Sequence, residues 1–321
     1  MDSSSLSPFT DFCYLFLSIL FEGAPFILLG TLISGFIDAY LPPGLIDKWL
    51  PKNRVLAVFM SGLLGAIFPV CECAVVPVIR RLIRKGLPVS CAITYMLSAP
   101  IINPIVVIST MKAFDSSIGQ FSLRQTEVAD AYGPAFMTSS RLLVAYIVTV
   151  GVGLVVLKIL PKLILRPSVL PRSAGGTGEE FESVHDHSAR KEKLVLAMRT
   201  AMRDFMETAM YFSIGVAITS VFRAFVTEDL ILLFNQSEIK GIGLMMLLAF
   251  VLSLCSTSDA FIAANFPVAQ SAKLGFLVFG PMMDVKLVFM YLSVFRPKFV
   301  TILAFSLLIA IGVLSYFWVR F

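Results

Sequence analysis

Two cysteines flank a glutamate at Cys71, Glu72 and Cys73, inside the apolar stretch IFPVCECAVVP of residues 67–77. Thiolates are soft ligands that suit Cu(I), Zn(II) and, by the same softness, trivalent arsenic, and tight binding needs them deprotonated. On a regular helix residues two apart diverge, so both sulfurs share a cavity only where the backbone is loosened, as between Pro69 and Pro77. Two other readings stand beside a metal-binding Cys71/Cys73 pair. Free cysteine is a small apolar residue that often just packs, and a thiol oxidoreductase would use the pair directly, although a one-residue spacer makes a strained disulfide. Facing oxygen ligands are available from Ser256, Thr257, Ser258, Asp259 and Asp284, with Asn103 to orient or hydrate a cargo. Oxygen donors suit harder ions, so the donor set alone leaves selectivity open.

Five acids, Glu22, Glu72, Glu207, Asp259 and Asp284, fall inside apolar segments. A carboxylate facing lipid at a helix centre costs about 2.5–3.5 kcal/mol on insertion scales, so these side chains must face inward, be paired or be protonated. Lys286, Lys273 and Arg141 are the candidate counter-ions. Asp284 and Lys286, two residues apart, are not an automatic pair on a regular helix. For Glu22 and Glu207 the alternatives are hydrogen bonding across helices and coupling to a proton or another cation.

These groups must be positioned by helices in a membrane. Of 321 residues 57% are hydrophobic and 15% charged, and mean hydropathy is +0.87, against roughly 25% charged in soluble domains. The fold class is all-α and polytopic. The pI near 9.0 does not point to nucleic acid, because the cations lie mostly between apolar segments, where they set membrane orientation. The first apolar stretch exceeds the roughly 7–15 residues of a signal-peptide core and reads as a retained helix. The five cysteines all fall in apolar segments, not in an extracellular disulfide framework. No nucleotide-binding loop, dinucleotide fingerprint or serine nucleophile motif is present; the expectation is a transporter, not an enzyme, with no cofactor.

A spanning helix needs about 20 apolar residues, and eight segments qualify, near residues 12–38, 55–79, 87–111, 134–159, 198–223, 241–265, 273–295 and 299–319. Residues 161–193, rich in charge, Ser, Gly and Pro, read as a cytoplasmic linker between a first half (1–160) and a second (194–321), and carry the only histidines, in His185-Asp186-His187. The halves echo each other: Glu22 precedes Gly30 as Glu207 precedes Gly215, Cys71 follows Glu22 by 49 residues and Cys255 follows Glu207 by 48, and APIIN matches GPMMD. Helix breaks are expected at Pro69, Pro77, Pro100, Pro104 and Pro281, since proline removes a donor and clashes with the preceding turn. Such interruptions at corresponding positions point to a transporter's central site. Eight full crossings would put both termini, RRLIRKG (residues 80–86) and the linker on one side, which the positive-inside rule makes cytoplasmic. A re-entrant segment in each half would invert the repeats; full crossings, giving a parallel repeat, are preferred because they keep RRLIRKG and the linker together.

At FPVCECAVVPVIRRLIRKGLP, LSAPIINP, CSTSDAFIAANF and AKLGFLVFGPMMDVK the chain resembles the predicted permease family that contains the ArsP-type organoarsenical exporters and the YraQ proteins. The resemblance runs from about Phe12 to Val319. It implies a permease of the cell membrane with eight helices and the signature regions at its centre, namely Cys71, Glu72, Cys73 and Pro77, then Pro100 and Asn103, then Ser258, Asp259, Pro281, Asp284 and Lys286. It further implies efflux of trivalent methylated arsenicals or, in one branch, of copper or zinc, and for Cys-Glu-Cys members a second small membrane subunit. Many relatives have Cys-Ser-Cys-Gly where this chain has Cys71-Glu72-Cys73-Ala74, and the added carboxylate favours a cation of harder character. The leading expectation is a secondary transporter exporting a soft metal, metalloid or organometalloid by alternating access, coupled through Glu22 or Glu207. A non-transporting scaffold for a partner subunit is the third class, against which the five intramembrane acids argue. Self-association is open.

Overall fold

The structure, a computed structural model, describes residues 8–40, 50–51, 53–68, 70–115, 133–167, 169, 188–225, 238–266 and 268–318. Pro69, the two histidines and most of the linker lie outside the described residues. In chain order the helices are α1 (Pro8–Tyr40), α2 (Arg54–Ile67), α3 (Glu72–Arg84), α4 (Val89–Ser98), α5 (Pro104–Ala113), α6 (Pro134–Val156), α7 (Pro161–Ile164), α8 (Ser188–Phe225), α9 (Glu238–Leu252), α10 (Ser258–Asn265), α11 (Gln270–Met282), α12 (Val285–Val294) and α13 (Pro297–Trp318). Among the described residues there is no strand, only one isolated bridge between Leu165 and Phe295. All eight apolar segments are helical. Four run without interruption (α1, α6, α8, α13) and four are broken near the middle (α2–α3, α4–α5, α9–α10, α11–α12).

Each break has a local cause. Pro104 starts α5 because its missing N–H is one that a first turn leaves unpaired anyway, and Asn103 caps that turn by accepting from the Ile105 N–H at 2.9 Å. Asp284 does the same for α12, accepting from the Leu287 N–H at 2.7 Å. Ser253, with φ of +47°, ends α9 in the left-handed conformation common at helix ends. Two expected breaks fall elsewhere. Pro77 lies inside α3 and Pro281 inside α11; each removes one helical bond, and the interruptions sit between the finish of α2 and the start of α3 and at Met283–Asp284. Pro100 lies in the turn between α4 and α5.

The contacts give the direction of every segment. Gly30 of α1 lies against Ala74 of α3, and Arg81 and Lys85 reach Asp38, so α3 runs parallel to α1. α2 starts beside Gly153 of α6, through Val58, and by Gly65 has reached Ala99 and Ile102 in the α4–α5 break. Hence α2 enters from the end where α1 finishes, and α3 returns to it: the pair is a hairpin, not a crossing. α4–α5 then crosses antiparallel to α6, from Thr94 beside Gly153 to Thr110 beside Arg141. α8 descends antiparallel to α1, with Ala197 and Ala201 at Gly35 and Phe212 at Gly23.

The second half runs the opposite way. α9 and α11 rise together, Ile242 and Met246 flanking Gly275 and Ala249 facing Gly280. α10 goes back, its Ala264 carbonyl accepting from Lys273 near the start of α11 at 3.1 Å. α11–α12 crosses until the Val294 carbonyl accepts from the Arg166 N–H just past α7, and α13 recrosses until Trp318 donates to Ser140 near the start of α6. The described chain therefore crosses the bundle six times and dips in twice, once from each end. α1 begins and α13 finishes at one end, while RRLIRKG and the segments flanking the linker lie at the other. This corrects the expected eight full crossings. With α2–α3 as the re-entrant pair, RRLIRKG and the linker flanks stay together, so the objection to re-entrant segments fails.

α11–α12 is the centre of the bundle, with 83% of its most apolar window buried against 17% for α1. The exposed Phe21, Leu28 and Leu29 of α1 are what a lipid-facing surface presents. α1 and α3 approach so closely that a Cβ on Gly30 would stand 2.5 Å from the Ala74 carbonyl oxygen. Gly30→Leu is expected to cost at least the roughly 1–3 kcal/mol typical of overpacking, whereas Gly151→Leu, where a Cβ meets open space, leaves the thermal midpoint in detergent unchanged. Equal midpoints for the two variants would contradict the close approach.

Candidate functional site

The two hairpin tips meet the α11–α12 break at mid-depth. There a cavity of about 20 Å³ is bounded by Glu22, Gly23 and Phe26 of α1, by Cys71, Glu72 and Cys73, by Phe212, and by Cys255 and Lys286. That volume holds about one water. The chain reaches this point because Cys71 is the extended N-cap of α3 and Cys255 lies in the non-helical turn between α9 and α10. Loosened backbone thus turns Cys71, Glu72 and Cys73 together toward one space, which a continuous helix would not do.

Glu72, 2% exposed, accepts from the Lys286 ammonium at 3.3 Å and from the Ser256 hydroxyl at 3.5 Å. Lys286 also donates to the Ser253 and Leu254 carbonyls, at 3.0 and 3.5 Å, and lies 3.6 Å from Asp284 Oδ2. Asp284 is fully buried; its Oδ1 is fixed by the Leu287 N–H and its Oδ2 has no hydrogen-bond partner. A second buried cluster stands beside this one. Arg141 holds both Asp259 oxygens, at 2.9 and 3.1 Å, and also donates to the Ser256 carbonyl and the Thr110 hydroxyl. It ties α6, α5 and α10 together around the second hairpin tip.

Most of the sequence-selected residues converge, though not all on one space. Cys71, Glu72, Cys73 and Lys286 line the cavity, Ser256 and Asp284 stand directly behind Glu72 and Lys286, and Glu22 is exposed at the rim, with no ion pair among the described residues. Asn103 is a buried cap, Asp259 belongs to Arg141, and Ser258 is exposed on α10. Glu207 lies away from the cavity and accepts from Arg80 at 2.6 Å. Among the described residues no three His, Cys, Asp or Glu side chains stand close enough to hold a metal ion in this conformation.

Two features escaped the sequence reading. Cys255 brings a third thiol to the cavity; the spacing that pairs it with Cys71 was the available signal. The other is a charge cluster at the end where α1 finishes. Arg81 holds Asp204 through two 2.9 Å hydrogen bonds and reaches Asp38 at 3.4 Å, Lys85 donates to the Asp38 carbonyl, and Ser34 donates to Asp204. RRLIRKG is therefore mostly the end of a packed helix, not a loop between two spans. Asp204 and Glu207, three apart on one helical face, were the sign that α8 offers acids to such a partner.

A helical bundle with broken segments meeting at a buried polar centre, built from apolar spans, is the architecture of a membrane permease. The chain belongs to the ArsP_1 family of predicted permeases, which it matches over residues 9–318. It is 35% identical over 292 residues to a protein of Streptococcus mutans called a putative two-component membrane permease complex subunit, covering 89% of this chain and 87% of that one. It is also 35% identical over 299 residues to the UPF0718 protein YcgR of Bacillus subtilis, covering 92% and 93% of the two chains. A shorter match, 28% over 88 residues, links it to the UPF0718 protein MJ0584 of Methanocaldococcus jannaschii, with 27% and 24% covered. No solved structure matches.

Proposed function

We propose that this permease is a secondary transporter of the cell membrane that exports a soft metal ion, metalloid or organometalloid by alternating access, with Cys71, Glu72 and Cys73 as the cargo ligands and Cys255 as a third donor. The observation that carries this reading is the meeting of Cys71, Cys73 and Cys255 with Glu72 and Lys286 around one mid-depth cavity, at the tips of hairpins entering from opposite ends. Halves with opposite directions and the same order of elements fit an inverted repeat, and inverted repeats are the common basis of alternating access. The cavity is small and its donors are not yet within metal-binding distance, so cargo binding includes closure of the two tips upon each other. Between the two coupling candidates the geometry favours Glu22, at the cavity rim with no ion pair among the described residues, over Glu207, which Arg80 already neutralises. The name of the Streptococcus relative supports a second membrane subunit as partner.

The test is elemental analysis of cells with the intact protein, without it, and with Cys71→Ser/Cys73→Ser, after exposure to zinc, copper and arsenicals. The expected result is lower content of one element with the intact protein and loss of that difference in the double variant. Export that survives the double variant removes the thiols from the mechanism. No difference for any element, with a partner subunit co-expressed, removes the cargo class.

A further inference from the structure

We propose that Lys286 is a built-in counter-cation: its ammonium holds Glu72 while the site is empty and is displaced by a positively charged cargo, so that the empty carrier can return across the membrane. This rests on the reading of the chain as a carrier. The ammonium sits among four oxygens from three elements, the Ser253 carbonyl at 3.0 Å, Glu72 at 3.3 Å, the Leu254 carbonyl at 3.5 Å and Asp284 Oδ2 at 3.6 Å. Two carboxylates and two carbonyls are the donor set of a small hard cation. The carbonyls are available because Ser253 turns left-handed and ends α9.

Glu72 stands between Cys71 and Cys73 on the cavity wall. A metal cation held there by thiolates meets the ammonium as a rival for the same carboxylate, and two positive charges in contact at low dielectric repel strongly. Lys286 already has a second carboxylate within reach, Asp284 Oδ2 at 3.6 Å. Asp284 Oδ2 is buried and accepts no hydrogen bond, while Oδ1 is pinned by Leu287. The other nearby cation, Arg141, is held through both terminal nitrogens by Asp259, Thr110 and the Ser256 carbonyl and does not substitute. Without cargo and without Lys286, two buried carboxylates would have to move through the membrane uncompensated, a step that costs several kcal/mol per ion. With cargo bound, the cargo itself supplies the charge.

The experiment uses the full chain in vesicles loaded with Zn(II) or Cu(I) alone. Two variants are compared with the unaltered protein: Lys286→Met, and Lys286→Met/Asp284→Asn, which removes one charge of each sign and guards against misfolding. The expected result for both is a split between two rates: net efflux into metal-free medium falls about tenfold or more relative to metal-for-metal exchange by the same variant. Equal loss of exchange and net efflux in a folded variant, or retention of both, overturns the proposal. A second arm needs no cargo. Lys286→Ala is expected to lower the thermal midpoint, and methylammonium, but not tetramethylammonium, to restore it; absence of that difference refutes the counter-cation. If the unaltered protein moves neither metal, the carrier reading falls for those cargoes and the return step with it, and the methylammonium arm alone decides whether the ammonium is replaceable.

Discussion

Arg81→Met is expected to destabilise the protein by about 3–5 kcal/mol, the cost of stranding a buried charge by removing its partner. Domains have only about 5–15 kcal/mol in total, so most of the folded protein should be lost at moderate temperature. The charge left behind is Asp204, 2% exposed, which would keep the Ser34 hydroxyl at 3.0 Å as a donor. Arg81→Met/Asp204→Leu removes both charges and should recover most of the loss, since apolar replacement of a whole buried pair is often neutral. Arg80→Met should cost much less. Its partner Glu207 has a side chain 36% exposed and can rehydrate, as partners in surface pairs do. Thermal unfolding in detergent, followed by size-exclusion, separates these outcomes; equal midpoints for Arg81→Met and the double variant would mean that Asp204 does not need Arg81. The same cluster bears on transport, because it fastens one end of α3 to α1 and α8 while the other end carries Cys71 and Cys73. Under the proposed alternating access, opening the cavity toward that end would require these pairs to part. In the double variant a membrane-impermeant maleimide applied from that side should therefore label Cys73 faster than in the unaltered protein.

Hydropathy alone made the helical class and all eight segments legible, because lipid tolerates only structures that satisfy their own backbone. It could not tell a crossing from a hairpin. α2–α3 and α4–α5 each carry an apolar length near that of a span with prolines close to the interruption, and only the partners differ: Gly30 and Asp38 draw α3 back along α1, while α6 leads α5 onward. Those are contacts far apart in sequence, which a periodicity argument does not contain. The chemistry of the centre was more accessible. Carboxylates inside apolar segments are expensive enough to announce partners, and Lys286 and Arg141 were identifiable as those partners from charge alone. The assignment of each acid to its cation was not identifiable, and neither was the third thiol. Asp284 and Lys286 approach because Asp284 caps α12 from an extended backbone, a geometry that a regular helix denies them. Arg80 and Arg81 misled for a related reason: a run of cations between apolar segments reads as a loop that sets orientation, yet two of them face acids on α8.

A reporter fused after the last helix should behave as if it lies outside the cytoplasm, and the same reporter inserted within residues 171–187 should behave as if inside. Six crossings place the start of α1 and the finish of α13 at one end of the bundle, opposite RRLIRKG and the flanks of the linker. Among the described residues Arg54, Arg80, Arg81, Arg84, Lys85, Lys158, Lys162, Arg166, Arg190, Lys191, Lys193, Arg199, Arg203, Arg296 and Lys298 belong to the linker end, against Lys112, Arg223, Lys240 and Lys273 at the other. The positive-inside rule then predicts a cytoplasmic linker end, with the start of α1 and the finish of α13 facing outward, the reverse of what eight crossings predict. Alkaline phosphatase at the C-terminus should be active and a fluorescent protein there dark, with both signals inverted in the linker. The expected contrast is close to all-or-none, since each reporter matures on one side only. Matching signals at the two positions would restore eight full crossings and a parallel repeat, and α2–α3 and α9–α10 would then have to pass through the membrane. Opposite signals would leave each half with an odd number of crossings, so that the two hairpins enter from opposite faces and their tips, Cys71–Cys73 on one and Cys255–Ser256 on the other, approach the same mid-depth cavity from the two sides between which a carrier must alternate.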